Sequence, residues 1–249
     1  METDPAYLID QSRTYGARGV HGRVVEHIGN RIVGGELAEG EMLPKEAELM
    51  AELQASRTTI REAIKVLAAK GLVETRQKRG TLVRPKSDWN LLDPDVLAWL
   101  VAGDPDPEIT RLMIELRRLI EPGAARMAAT RHDKVQLAAL AAALDDMRST
   151  DVGSYYAADR AFHRALFAAT GNPFIDRLGS IVDAVLAVSF GLQSRSLIPA
   201  EQGFALHARV YDRIAARDAP GAGQAMLSII NDSQAALDRS IEAVGRLAA

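Results

Sequence analysis

Two histidines and an aspartate carry the clearest chemistry in this sequence. On a helix expected over about 153–170, Tyr156, Asp159, His163, Leu166 and Phe167 share one face. Asp159 and His163 stand four residues apart there, so their side chains can converge. A second helix, over about 200–217, carries His207 on a face with Phe204, Tyr211 and Ile214. An acid on a core-facing stripe is costly unless a cation or a metal pairs with it. One carboxylate and two imidazoles make a three-donor set for a divalent ion that keeps open positions. Residue types leave a second explanation standing, because a histidine on an apolar stripe is more often a hydrogen-bonded core residue and D-x-x-x-H recurs by chance.

Arg117 lies beside the apolar stripe Ile109, Met113, Leu116 and Ile120 and could look into the same core, although its spacing also suits a surface pair with Glu121. His21, His27 and His132 have no partner at useful spacing and read as surface residues. Trp89 and Trp99 read as core or interdomain packing.

A different chemistry occupies the N-terminal third. Residues 56–86 hold nine basic groups (Arg57, Arg61, Lys65, Lys70, Arg76, Lys78, Arg79, Arg84, Lys86) against Glu62 and Glu74, in a chain whose net charge is −3. A local basic face on an acidic chain suits a confined polyanion site. The elements around it give that face a shape. Val20, Val24, Val25, Ile28, Ile32 and Val33 form one helical stripe, stopped by Gly34 and Gly35. Pro44 opens a short helix with Leu49 and Leu53 inward. Ser56 can cap a third helix with Ile60, Ala63, Ile64 and Leu67 inward, which Gly71 can terminate. Two short strands then flank a basic turn at 77–80, closed by Pro85. Helix, helix, helix, hairpin is the order of a winged helix-turn-helix, in which the third helix enters the major groove.

Beyond PKSDWNLLDPDVL the chain is almost wholly helical, with helices expected near 93–102, 107–129, 134–149, 153–170, 173–193, 200–217 and 221–246. The fold class is therefore mainly α, a winged helix-turn-helix domain followed by an all-α antiparallel bundle. The expected boundaries are an arm over 1–19, the DNA-binding domain over 20–86, a linker over 87–94 and an effector-binding and dimerisation domain over 95–249. At 249 residues the chain has room for two such domains, and its 47% hydrophobic and 25% charged residues are ordinary for a globular protein. The absence of cysteine excludes disulfides, thiolate zinc sites and cysteine nucleophiles. No apolar run is long enough to span a membrane, and the opening METDPAYLIDQSR lacks a signal-peptide core, so a cytoplasmic protein is expected.

The run LPKEAELMAELQASRTTIREAIKVLAAKGLVETRQKRGTLV (43–83) resembles the DNA-binding domain of GntR-family bacterial regulators. The helical remainder resembles the FCD effector domain of the FadR subfamily, through D-x-x-F-H at 159–163 and the His207 helix. WNLLDPDVLAWL (89–100) and ELRRLIEP (115–122) look most like the galactonate-operon repressor group, which answers to sugar acids. The resemblance implies a homodimer that binds operator DNA through Ser56, Arg57, Thr58, Thr59 and Arg61, with Arg79 and Gly80 at the wing tip. Ala47 stands where some members carry a basic residue, which removes one DNA contact.

The resemblance also implies that Asp159, His163 and His207 ligate a divalent metal, zinc first, with nickel or manganese as alternatives. Many FCD proteins add a histidine on the last helix. That position falls at or near Ile229, so either three protein ligands suffice, Asn231 or Asp232 compensates, or the site is weak. Arg117 would meet the carboxylate of a sugar-acid effector. Lactate-like carboxylates and a fatty acyl thioester are the alternatives, the latter disfavoured because a long acyl chain wants an apolar pocket. A metal-dependent enzyme is the reading from another class. No acid–base pair, nucleophile constellation or phosphate loop accompanies the three donors, and catalysis would need one.

Overall fold

A computed structural model of the chain describes residues 19–77, 79–101, 107–148, 152–193 and 200–247. The expected arm over 1–19 lies almost entirely outside these, as does Lys78 of the basic turn. The described residues form two compact units, one reaching to helix Pro94–Val101 and the other beginning at Pro107.

The N-terminal unit contains α1 (Gly19–Val33), α2 (Glu46–Leu53), α3 (Arg57–Ala69), the antiparallel strands β1 (Val73–Arg76) and β2 (Gly80–Val83), a 3-10 turn (Lys86–Asp88) and α4 (Pro94–Val101). Alternating burial explains why these segments fold where they do. Val24, Val25, Ile28 and Ile32 of α1 meet Ile60, Ala63, Ile64 and Leu67 of α3 in one core, whereas Val20 at the helix start is exposed. Ser56 caps α3, its Oγ accepting from Thr59 N at 3.2 Å. The hairpin register pairs Val73 with Val83 and Arg76 with Gly80. Residues 40–43 add to its other edge, with Val83 N donating to Glu41 O and Leu43 N to Thr81 O, both at 2.8 Å. That third chain has no signature in the residue pattern.

The expected linker and domain start are corrected here. Instead of opening the effector domain, α4 packs on α1, burying Val96 and Trp99 in the N-terminal core. A buried charge cluster fastens it. Lys70 Nζ donates to Asp93 Oδ1 at 2.7 Å and to Asp95 Oδ2 at 2.6 Å, and Asp93 Oδ1 accepts from Asp95 N at the start of the helix. Asp95 is 1% exposed. Replacing Lys70 by Met leaves that carboxylate without its cation, which should destabilise this unit by about 3–5 kcal/mol. Urea unfolding followed by tryptophan fluorescence checks it, because both tryptophans of the chain sit in this core. An unchanged midpoint would refute the anchoring role.

The C-terminal unit is all helical: α5 (Pro107–Arg131), α6 (Lys134–Asp146), α7 (Val152–Ala168), α8 (Pro173–Gln193), α9 (Ala200–Ala215) and α10 (Ala219–Leu247). α5 and α9 lie along α10, and α7 lies against α6 and α8. Its core takes Ile114, Phe162, Leu166, Phe167, Val210, Ile214, Met226 and Ile230, with Ala124, Ala125, Ala128 and Ala129 letting α5 approach its neighbours closely. A bidentate pair ties α7 to α8, Arg160 Nε to Asp183 Oδ1 at 2.8 Å and Nη2 to Oδ2 at 2.6 Å. His132, expected at the surface, is buried, with Nδ1 2.8 Å from Ala128 O. Among the described residues no helix is long and apolar enough to cross a membrane.

Candidate functional site

α7 and α9 bring three donors to one place inside the bundle. Asp159 and His163 face inward one turn apart on α7, and His207 meets them from α9. His207 Nε2 lies 3.1 Å from Asp159 Oδ1 and 3.4 Å from His163 Nε2, and all three side chains are buried. His207 Nδ1 is 2.8 Å from Gly203 O, which can only accept, so Nδ1 carries a proton and Nε2 is the ring nitrogen that faces Asp159 and His163. His163 Nδ1 lies 2.8 Å from Glu121 Oε2, a charge contact in which the N–H is not aligned for a hydrogen bond, and its Nε2 faces into the cluster. Two imidazole nitrogens and a carboxylate oxygen this close need a proton or a cation among them, and a divalent cation with nitrogen and oxygen preferences fits the donor set.

Glu121 and Arg117 stand behind His163. Both are buried, and Arg117 Nε donates to Glu121 Oε1 at 2.5 Å. The pair predicted from spacing is therefore real but lies in the interior, not at the surface. Arg117 Nη2 meets no hydrogen-bond partner among the described residues. A cavity of about 40 Å³ opens beside it, lined by Arg117, Tyr156, Asp159, His207, Ile229 and Asp232 among others. Burial pushes the Glu121 carboxyl up, but the charges of Arg117 and His163 outweigh that and hold it down at about 2. Burial likewise raises Asp159, while the His207 hydrogen bond and the charges of His207, His163 and Arg117 bring it to about 2. Burial and then the Asp159 charge push the Tyr156 phenol up to about 12 and raise that of Tyr155, so both stay neutral donors. Gly203 permits this packing, since a Cβ there would stand 1.9 Å from Tyr155 Oη.

At the last helix, Ile229 is buried on the cavity wall. Asn231 faces outward and accepts from Arg118 Nη1 at 2.6 Å. Asp232 also lines the cavity, but its Oδ1 accepts from Gln202 Nε2 at 2.8 Å, and among the described residues the group of potential metal donors is Asp159, His163 and His207.

The basic face is built at the start of α3. Arg57, Thr58 and Arg61 are exposed there, while the Ser56 and Thr59 hydroxyls lie 2.8 Å apart within the cap. Glu46, at the start of α2, stands 3.8 Å from Arg57 Nε and 3.7 Å from Arg61 Nε. Arg79 and Gly80 are exposed on the hairpin turn. Gly80 has φ +99°, and a Cβ there would stand 2.8 Å from Met42 Cε, so the tight turn requires glycine.

Comparison with known proteins gives this architecture a family. Residues 21–83 match the bacterial regulatory proteins of the gntR family, and residues 112–232 match the FCD domain. The Galactonate operon transcriptional repressor of Escherichia coli (strain K12) is 35% identical over 216 residues, covering 85% of this chain and 93% of that one. The chain belongs to the GntR family. It is a DNA-binding transcriptional regulator with an FCD domain, as its relatives are, and not an enzyme. The Putative L-lactate dehydrogenase operon regulatory protein of the same organism is 33% identical, covering 77% of this chain and 76% of that one. The solved structure of Lar, which controls the Listeria monocytogenes agr system, shares the fold with a TM-score of 0.63 at 19% identity, over 89% of this chain and 98% of that one.

In this GntR-family regulator Asp159, His163 and His207 converge, and Arg117 lines the same cavity as Asp159 and His207. Residue spacing did not single out Glu121 or Glu46 as part of either site. For Glu121 a signal existed: Ile114, Arg117, Glu121, Ala124, Ala125 and Ala128 form one buried stripe of α5, but its small alanines carry little hydrophobic weight.

Proposed function

We propose that this regulator is a cytoplasmic, homodimeric repressor of a sugar-acid catabolic operon. It leaves its operator when a small carboxylate binds beside a divalent metal held by Asp159, His163 and His207. The observation that carries this reading is the cavity lined by Asp159, His207 and Arg117, with His163 closing the donor cluster behind it and Arg117 Nη2 left without a partner. A bound metal would supply open coordination positions for the effector's carboxylate and hydroxyl oxygens. Arg117 then takes the remaining carboxylate charge, and the neutral Tyr156 offers a phenol to a sugar hydroxyl. Similarity to a galactonate operon repressor supports the aldonate class. Similarity to a lactate dehydrogenase operon regulator keeps smaller hydroxy acids as the alternative. A cavity of about 40 Å³ with a charged wall disfavours a fatty acyl thioester.

On the DNA side, Arg57, Thr58 and Arg61 read operator bases and phosphates, Ser56 and Thr59 hold the start of the recognition helix and contact phosphates, and Arg79 and Gly80 approach the backbone from the wing. Two copies related by a twofold axis read a pseudo-palindrome. The cavity has room for only a few water-sized groups, so an effector of aldonate size must widen it. That strain favours the bundle arrangement with the lower operator affinity, and linkage requires DNA to weaken effector binding by the same factor.

A thermal-shift panel of aldonic and smaller hydroxy acids tests this on the full chain, first as purified, then after chelation, then after zinc add-back. An effector at a hundredfold excess over its Kd stabilises by about 2.7 kcal/mol. The shift should vanish on chelation and return with zinc. In His163→Ala, calorimetric affinity for that acid should fall by at least the roughly 10–100-fold that even an outer partner of a metal contributes. An unchanged affinity would remove the metal from sensing.

A further inference from the structure

The carboxylate of Glu121 is divided between two partners. Its Oε1 accepts from Arg117 Nε, while Oε2 faces His163 Nδ1 at 2.8 Å. A purely structural Arg–Glu pair four residues apart has no need of this arrangement, because a bidentate fork would satisfy both groups at once. Here the fork is not formed and Arg117 Nη2 is left over, while Glu121 Oε2 is turned to His163 Nδ1 at charge-contact distance without an aligned hydrogen bond, so its charge favours a proton on that nitrogen of the ring that reaches into the donor cluster. All three side chains are at most 1% exposed, so water does not compete for these contacts.

We propose that Glu121 is the positioning residue of the metal site: clamped by Arg117, it fixes the His163 ring and its Nδ1–H tautomer so that Nε2 is presented to the ion. This rests on the metal reading above and extends it to a residue outside the donor set. Imidazole ligands gain orientation and basicity when the distal ring nitrogen donates to a carboxylate. With Ile229 on the cavity wall and three protein donors in the cluster, the basicity of each donor weighs more heavily in holding the ion. His207 is oriented differently, through the neutral carbonyl of Gly203, so Glu121 is the one ionised partner behind either imidazole among the described residues.

Glu121→Ala would leave Arg117 as an unpaired buried cation and endanger folding, so the variant to use is Glu121→Gln, which keeps the shape and removes the charge. The probe is Co²⁺ alone, titrated into the full chain against a competing chelator at fixed pH. Co²⁺ affinity should fall about 10–100-fold in Glu121→Gln with the helical circular dichroism retained. A second readout needs no variant: in metal-free wild-type protein labelled with ¹⁵N-histidine, the His163 ring should show the Nδ1–H tautomer. Co²⁺ affinity within twofold of wild type in Glu121→Gln, or an Nε2–H tautomer in the wild type, would overturn the proposal and leave the three-donor site standing. No Co²⁺ uptake by the wild type would overturn both.

Discussion

Arg57→Ala should abolish discrimination between operator and random DNA while leaving effector binding untouched. Arg57 opens the recognition helix, its side chain is 67% exposed, and its one ion-pair contact is to Glu46 at 3.8 Å. Removing it therefore costs the fold little, since exposed pairs contribute about 1 kcal/mol or less. A bidentate arginine on a guanine is worth about 1–3 kcal/mol of discrimination, and a twofold dimer loses two of them. Specific affinity should drop by about 30-fold to about 20,000-fold, toward the non-specific level. The measurement is fluorescence anisotropy at one salt concentration. It compares a duplex that the wild-type chain enriches from a random library with a scrambled duplex of equal composition. Equal operator affinity in wild type and variant would sink the DNA-contact assignment. A parallel loss of effector affinity would show that the substitution had damaged more than the groove contact.

The second large effect is an acid-sensitive C-terminal unit. Glu121 and Asp159 sit at about 2 in the folded protein, against ordinary values of 4.5 and 3.8. Groups depressed in this way stabilise the fold fully above their unfolded values, and that contribution is lost as pH falls through the folded ones. The contribution of these two carboxylates should therefore be complete above about pH 5 and be lost between about pH 4.5 and 2, by about 3 kcal/mol for Glu121 and about 2 kcal/mol for Asp159. Urea titrations followed by far-UV circular dichroism, which sees both units, and by tryptophan fluorescence, which sees only the N-terminal one, isolate this unit's transition by difference. In Glu121→Gln the drop should shrink to the Asp159 share. A profile equally steep in the variant would show that Glu121 is not held by Arg117 and His163 in solution.

Much of the molecule is legible in local residue patterns alone. The order of helices, the Ser56 cap, the inward stripe of α3 and the convergence of Asp159 with His163 follow from local geometry, because the 3.6-residue period and capping chemistry act over one or two turns. The apolar period carries helix α5 unbroken through Pro122, and the helix does continue there. The family match is local as well, resting on contiguous runs in the recognition helix and around D-x-x-F-H.

The elements, the basic face and the candidate donors are thus set by local residue patterns. Tertiary packing decided the rest. The Pro- and Asp-rich segment before helix α4 points to a domain boundary there and so to a place for α4 in the second domain. Only the three-dimensional core shows Val96 and Trp99 inserted against α1 and Lys70 holding Asp93 and Asp95. His132 reads as a surface residue because its acceptor is a backbone carbonyl, which has no side-chain signature. Arg117 and Glu121 show the limit most plainly. Spacing four apart states that they can pair, but whether that pair faces water or the core depends on which neighbouring helices cover α5. Burial turns a weak surface contact into a fixed charge behind a metal-ligand candidate, because the low-dielectric interior removes the water that would otherwise screen it.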